Sequence, residues 1–417
     1  MNFASLYFDK YIHYPAFYPG TPHPDTDIIV VIPCYNDEHI FQTLNSLTAA
    51  FPTKHHIEII IVVNDSAETP EDIIKVNNDT FSKLQELSRE HHPEHISILP
   101  IRIKNAPKKQ AGVGHARKTG MDEAIYHFSL LDRPQGIIVS LDADCIVSPD
   151  YFLQIEKHFN STDNKSGAYT LQFQHNYQDQ SIDIKEKNAC RLYEIYLRYF
   201  RLALKTTGFP YCFHTIGSCF AVNALAYTKT GGMPQRQGGE DFYFLHKAAQ
   251  LTTVGTINRL LVYPSPRISE RVPFGTGPSV KQIAHDGKYL VYNFNLFLIL
   301  KKFFELCSNF FHTQEIETIK IPSEIINFTG EDKIKEIILE CKNNSKEESS
   351  FSKRFFSKFN ALFIIKFLKS FDENSIYPPM DVLEASSELL KDYGITLKSH
   401  HPEEIYKHLF QLDLKHI

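Results

Sequence analysis

The period of the hydrophobic pattern changes repeatedly along this chain, and each change marks an element. Asp27-Ile-Ile-Val-Val-Ile-Pro33 is a continuous apolar run closed by proline, the pattern of a strand buried on both faces. Ile57 to Val63 is a second such run, ending in Asn64-Asp65-Ser66, and Ile96 to Ile101 and Ile137 to Leu141 are a third and a fourth. Between them the period lengthens to that of a helix. Ile40, Leu44 and Leu47 share one face behind a cap at Asn36 or Asp37. Thr69-Pro70-Glu71-Asp72 supplies a cap, a proline in the first turn and acids behind it. Gly114 to Leu131 carries Met121, Ala124, Ile125, Phe128 and Leu131 as apolar positions. Strands alternating with helices predict an α/β fold, a mostly parallel sheet flanked by helices.

From about residue 168 the order is less regular. Ala168 to Gln174 reads as a strand, Ile182 to Thr206 as a long amphipathic helix, Ser218 to Asn223 as a strand and Glu240 to Gln250 as a helix. Beyond about residue 275 the pattern is helical and rich in lysine and phenylalanine, with polar breaks near Asn343 to Ser350 and at Pro378-Pro379. The expected organisation is an aromatic arm over 1–26, an α/β domain over 27–275 and a helical region over 276–417. No internal repeat is visible.

Two acidic clusters carry the chemistry. Asp142-Ala143-Asp144 follows the strand-like Gly136-Ile-Ile-Val-Ser-Leu run, and Gly239-Glu240-Asp241 opens a helix. Hard divalent cations take oxygen ligands, so a carboxylate pair at a strand's end suits one. A carboxylate at a helix start is favoured in its ionised form by the helix dipole, which suits a base. The bland alternatives are a hydrogen-bonded turn for the first cluster and plain capping for the second. In open α/β sheets ligands bind outside the carboxyl ends of the strands, where Asn36, Asp65, Asp142 and Asp144 all fall. Metal-assisted group transfer from a nucleotide is the chemistry this order suggests.

Composition narrows the partners. With 44 Lys+Arg against 49 Asp+Glu, the net charge of −5 gives no general attraction to nucleic acid. The 7 cysteines are scattered and form no Cys-x-x-Cys, which reads as reduced thiols in a cytoplasmic protein and not as a zinc site. The first residues lack the layout of a signal peptide. No apolar run reaches the roughly 18–20 residues that cross a bilayer; Tyr289 to Leu300 is short and interrupted by Asn293 and Asn295. Histidine pairs such as His55-His56, His91-His92 and His400-His401 lie in polar stretches and read as surface residues.

Five segments together resemble the family 2 glycosyltransferases, the inverting group with the GT-A fold. They are Val31-Ile-Pro-Cys-Tyr-Asn36, Val62-Val-Asn-Asp-Ser66, Gly114-His-Ala-Arg-Lys-Thr-Gly120, Leu141-Asp-Ala-Asp144, and Gly231-Gly232-Met233 with Gly239-Glu-Asp241. The resemblance spans roughly 27–250. It implies a manganese or magnesium ion at Asp144, with Asp142 contacting that metal or the donor's ribose. It further implies that Asp65 accepts a hydrogen bond from the ring N–H of the base, which suits uracil. Pro33, Tyr35, Asn36 and Arg117 would shape the nucleotide pocket. Asp241 would act as base on the acceptor hydroxyl, with Glu240 orienting the acceptor or merely beginning the helix.

The expectation is therefore an inverting, metal-dependent transferase moving a sugar from a nucleotide-diphospho sugar, a UDP-sugar first, to a glycan or lipid-linked hydroxyl acceptor. Two rivals stand beside it. A sugar-nucleotide nucleotidyltransferase would need a glycine-rich basic loop after Ile32-Pro33, where Cys-Tyr-Asn stands. A non-catalytic sugar- or nucleotide-binding partner would not need the intact Asp142, Asp144 and Asp241 set. Departures from the family pattern are His246-Lys247 in place of the usual basic residue, and the lack of any tryptophan, which removes the motif of processive synthases. Arg267 and Arg271, ahead of Gly275-Thr-Gly277, read either as a lid on the donor diphosphate or as linker. His214 reads as a core histidine or an acceptor contact. The phenylalanines of the tail read as helix–helix core, with a seat on a membrane surface as the alternative.

Overall fold

The computed structural model of the chain describes residues 2–12, 14–90, 93–107, 111–161, 166–268 and 275–415, the side chain of Ile316 excepted. Eight strands form one sheet: β1 (Thr26–Cys34), β2 (His56–Ser66), β3 (Ile96–Ala106), β4 (Ile137–Ser140), β5 (Cys145–Val147), β6 (Ala168–Phe173), β7 (Phe220–Asn223) and β8 (Val254–Pro264). Their order is β3-β2-β1-β4-β7-β6-β8-β5. The β3-β2-β1-β4 half is parallel throughout, β6 and β8 are also parallel, and β7 and β5 run antiparallel to their neighbours. This is the mostly parallel, helix-flanked sheet that the GT-A expectation named.

Helices α1 (Ser5–Tyr11), α2 (Ile40–Thr48), α3 (Glu71–Leu87), α4 (Val113–Leu130), α5 (Tyr151–Phe159), α7 (Ala224–Thr230) and α8 (Glu240–Leu251) accompany the strands, and α6 (Ile184–Thr206) lies between β6 and β7 in the chain. The aliphatic runs of β1 and β2 are buried along nearly their whole length, because both faces of the sheet are covered. α4 packs on β1 and β2 so tightly that a Cβ at Gly120 would lie 2.5 Å from Val31 Cγ1. The apolar face read at Ile40, Leu44 and Leu47 is buried as expected. The caps differ. α2 starts after His39 and α3 after Pro70, neither with a side-chain cap. Asp37 Oδ1 accepts the His39 N–H at 3.1 Å, and Thr69 Oγ1 accepts the Ser66 N–H at 2.9 Å, so each side chain holds a turn instead.

The chain divides into two compact units, Met1–Asp183 with His214–Pro278, and Ile184–Phe213 with Ser279–His416. In the second, α6 is bound by a buried ion cluster. Arg198 donates to Glu194 at 2.6 Å and to Asp413 at 2.5 Å, and Arg201 also reaches Asp413. Phe303, Phe304, Phe310, Phe355, Phe359 and Phe367 are buried in the same unit, so these tail phenylalanines are helix–helix core. No helix among the described residues is long and apolar enough to cross a membrane.

One surface reading is overturned. His56 is buried, its ring stacked on His23 at 4.1 Å, because its position begins β2. His91 and His92 lie outside the described residues.

Candidate active site

The carboxyl ends of β1, β2 and β4 gather the predicted residues at one edge of the sheet. At the end of β2 a register shift between Asn64 and Ser66 sets Asp65 apart from the regular ladder. Its buried carboxylate is held by the Arg102 guanidinium and by the Asn105 N–H at 3.0 Å. Pro33 is buried at the end of β1, Tyr35 is half-buried and Asn36 is exposed. Asn36 takes a left-handed backbone, φ 48°, which asparagine tolerates, and its N–H donates to Asn77 Oδ1 at 2.8 Å. Asn77 in turn donates to the Asn64 carbonyl, tying the β1 turn to the end of β2.

Past β4 the two aspartates of Asp142-Ala143-Asp144 separate, because Thr43 of α2 fixes Ala143 between them by donating to its carbonyl at 2.8 Å. Asp142 faces α4. There Arg117 is fully buried, with Nη2 2.5 Å from Asp142 Oδ1 and Nη1 on Glu240. Its Nε has no partner among the described residues. The guanidinium passes over Gly217, where a Cβ would lie 2.6 Å from Nη2. Arg117 is thus buried and joins the first acidic cluster to the second.

Gly239, in a left-handed conformation, turns the chain into α8 and leaves Glu240 and Asp241 in its first turn. Glu240 is buried against Arg117. Asp241 is half-buried, and its Oδ1 accepts its neighbour Phe242's N–H at 2.7 Å. Burial pushes its carboxyl up to about 6, against the opposing pull of Arg117 and the Phe242 N–H, and the charge of Asp142 adds to the rise.

Asp144 faces the other way. β5 and β8 pair antiparallel with Cys145 opposite Pro264, so the chain leaving β8 passes beside Asp144, and Ser265 N–H donates to the Asp144 carbonyl at 3.1 Å. Arg267 then reaches back, with Nη2 2.9 Å and Nε 3.3 Å from Asp144 Oδ2, and Nη2 2.6 Å from Asp37 Oδ2. Arg271 lies outside the described residues. Thr276–Asp286 is helical, so Gly277 sits in a helix and not in a turn.

Asp37, Arg102 and Gly217 belong to this arrangement and were not read from the sequence as site residues. Asp37 had a signal in its place beside Asn36 at a strand's carboxyl end; Arg102 and Gly217 had none. His214 is buried against Phe173, ring centroids 5.1 Å apart, as a core histidine would be.

A divalent cation fits the donor set. Asp37, Asp142, Asp144, Glu240 and Asp241 face Arg117 and Arg267, so carboxylates outnumber guanidinium groups, and carboxylate oxygens are what hard cations take. Away from this site, Asp27, His55 and Glu156 bring their donor atoms within 4.8 Å of one another at the amino ends of β1 and β2, a convergence not shared by the site's carboxylates among the described residues. There Asp27 is paired with Arg133 and His55 with Glu156, which accounts for them as surface ion pairs.

Residues 29–229 match the sequence model of Glycosyl transferase family 2. The match takes in Asp65, Arg117, Asp142 and Asp144 and ends before Glu240 and Asp241. No curated protein matches. Among solved structures, the chain is similar to S. aureus TarS 1–349 in complex with UDP-GlcNAc, at 12% identity and TM-score 0.39, over 93% of this chain and 90% of that one. It is also similar to the mannosyltransferase PcManGT from Pyrobaculum calidifontis in complex with GDP-Man and Mn2+, at 15% identity and TM-score 0.38, over 99% of this chain and 93% of that one. Likeness of that degree assigns no donor, acceptor or metal.

Proposed function

We propose that this glycosyltransferase moves a sugar from a nucleotide-diphospho sugar, a UDP-sugar first, to an acceptor hydroxyl of a glycan or lipid-linked intermediate, with inversion at the anomeric carbon. One observation carries the reading: buried Arg117 joins Asp142 on the donor side to Glu240, next to Asp241 with its raised pKa. In the reaction the acceptor oxygen bonds to the anomeric carbon as the bond to the diphosphate breaks, and the acceptor's proton passes to an Asp241 oxygen. At about 6 the Asp241 carboxyl is ionised near neutral pH yet basic enough to take that proton. A single displacement inverts the configuration and needs no covalent intermediate.

Asp144 would hold the metal, which when bound supplies positive charge to the departing nucleoside diphosphate, and Asp142, turned toward Arg117, would contact the donor's ribose or that metal. The charge count favours this, since a diphosphate entering a site with more carboxylates than guanidinium groups is otherwise repelled. Arg117 keeps Asp142 and Glu240 from repelling each other. Asp65 would recognise the base: each carboxylate oxygen has two lone pairs, so its bonds to Arg102 and Asn105 leave capacity for a ring N–H. Pro33, Tyr35 and Asn36 would line the same pocket.

The test is release of nucleoside diphosphate from UDP-, GDP- and dTDP-sugars with Mn2+, using wild type and Asp241→Asn. Release by the wild type and a loss of roughly 10²–10⁴-fold in the variant is expected. Equal release by both would remove Asp241 as base. No release from any donor would favour the non-catalytic binding partner.

A further inference from the structure

Asp37 is a buried carboxylate, and a buried carboxylate requires a cation or several donors. Its Oδ1 takes the His39 N–H, with the His39 ring Nδ1 also at 3.1 Å. Its Oδ2 is 2.6 Å from Arg267 Nη2, the same nitrogen that lies 2.9 Å from Asp144 Oδ2. One guanidinium nitrogen therefore bridges carboxylate oxygens from two separate strand ends. Both oxygens lie within 2.9 Å of that one nitrogen, so a modest closing of the pair would let one divalent cation bridge them. Arg267 is partly exposed, at 19% of its side chain, and it comes from the segment after β8. It can leave without unpacking the sheet.

We propose that Arg267 is a resting counter-ion of the Asp37–Asp144 pair, and that a divalent cation competes with it for that place, taking Asp37 as a further carboxylate ligand beside Asp144. The inference rests on the reading of Asp144 as a metal carboxylate. Its consequence is an exchange of cations: the metal neutralises both acids and frees the guanidinium, whose planar fork suits phosphate oxygens, for the donor.

The test is Mn2+ binding without nucleotide, followed by the loss of the free Mn2+ spin-resonance signal, for wild type, Arg267→Gln, Arg267→Lys, Asp37→Asn and Asp144→Asn. Arg267→Gln is expected to bind Mn2+ roughly tenfold more tightly than wild type, Arg267→Lys to stay near wild type, and Asp37→Asn to bind roughly tenfold more weakly. Equal or weaker binding by Arg267→Gln would overturn the competition. Binding unchanged in Asp37→Asn would overturn the ligand assignment. Thermal melts check that each variant is folded, and if Asp37→Asn is not, the comparison of glutamine with lysine at 267 still decides. Binding by no variant, or binding indifferent to Asp144→Asn, would instead sink the metal reading of Asp144 itself.

Discussion

Replacing Asp241 by asparagine should make the protein more stable while disabling it, and the gain should depend on pH in a defined direction. The folded carboxyl titrates at about 6 against 3.8 unperturbed, with burial as the main cause. Between those values the folded state binds more protons than the unfolded one, so stability falls as pH rises through this window and the loss persists above it. At about 1.4 kcal/mol per pH unit the cost is roughly 3 kcal/mol as a ceiling. Asp241 is partly open to water, which reduces the expected figure to roughly 1–2 kcal/mol. Asparagine keeps the acceptor for the Phe242 N–H and removes the charge. Its melting temperature, followed by dye fluorescence without ligand, should exceed that of wild type by roughly 1–4 °C at pH 8 and converge with it near pH 4. An asparagine variant that is less stable at pH 8, or whose difference ignores pH, would refute the argument.

Two further outcomes follow from the same packing. His127 is pushed up to about 9: burial alone would lower it, but the carboxylates of Glu123 and Glu58 outweigh that, with Glu58 2.6 Å away. Its contribution is fully present below the unfolded value of 6.5 and is lost as pH rises through about 9, so His127→Gln should cost roughly 2–3 kcal/mol in urea unfolding at pH 6 and much less at pH 10. Gly217→Ala puts a methyl 2.6 Å from Arg117 Nη2. It should cost roughly 1–3 kcal/mol and, by moving the guanidinium off Asp142 and Glu240, lower kcat at least tenfold; an unchanged kcat would mean that the bridge is not needed.

The parallel half of the sheet was legible because β1 and β2 are covered on both faces, and uninterrupted Ile/Val runs have few other uses. β8 was not, because Thr256, Asn258 and Arg259 break its pattern, and β5, three residues long, offers no period at all. α1 lay hidden in an aromatic arm. Tyr7 and Tyr14 of that arm donate to buried Asp122 of α4 at 2.6 and 2.7 Å, a tertiary bond that no local pattern announces. The periodicity of α6 predicted a buried face but could not say that its partner would be Asp413, more than two hundred residues on. At the site the acidic clusters were legible as motifs. What they touch was not: Arg117 could be read as a surface charge, Asp37 as a cap and Arg267 as linker, since each contact depends on strand order and register.

The central claim, a metal-dependent donor site centred on Asp144, is tested most directly by a thermal-shift screen of UDP-, GDP- and dTDP-sugars with and without Mn2+, on wild type and Asp144→Asn. A nucleotide sugar that raises the melting temperature of the wild type only with Mn2+, and has no effect on the variant, is the predicted result. Stabilisation by no nucleotide sugar, or an equal shift in Asp144→Asn, would contradict it.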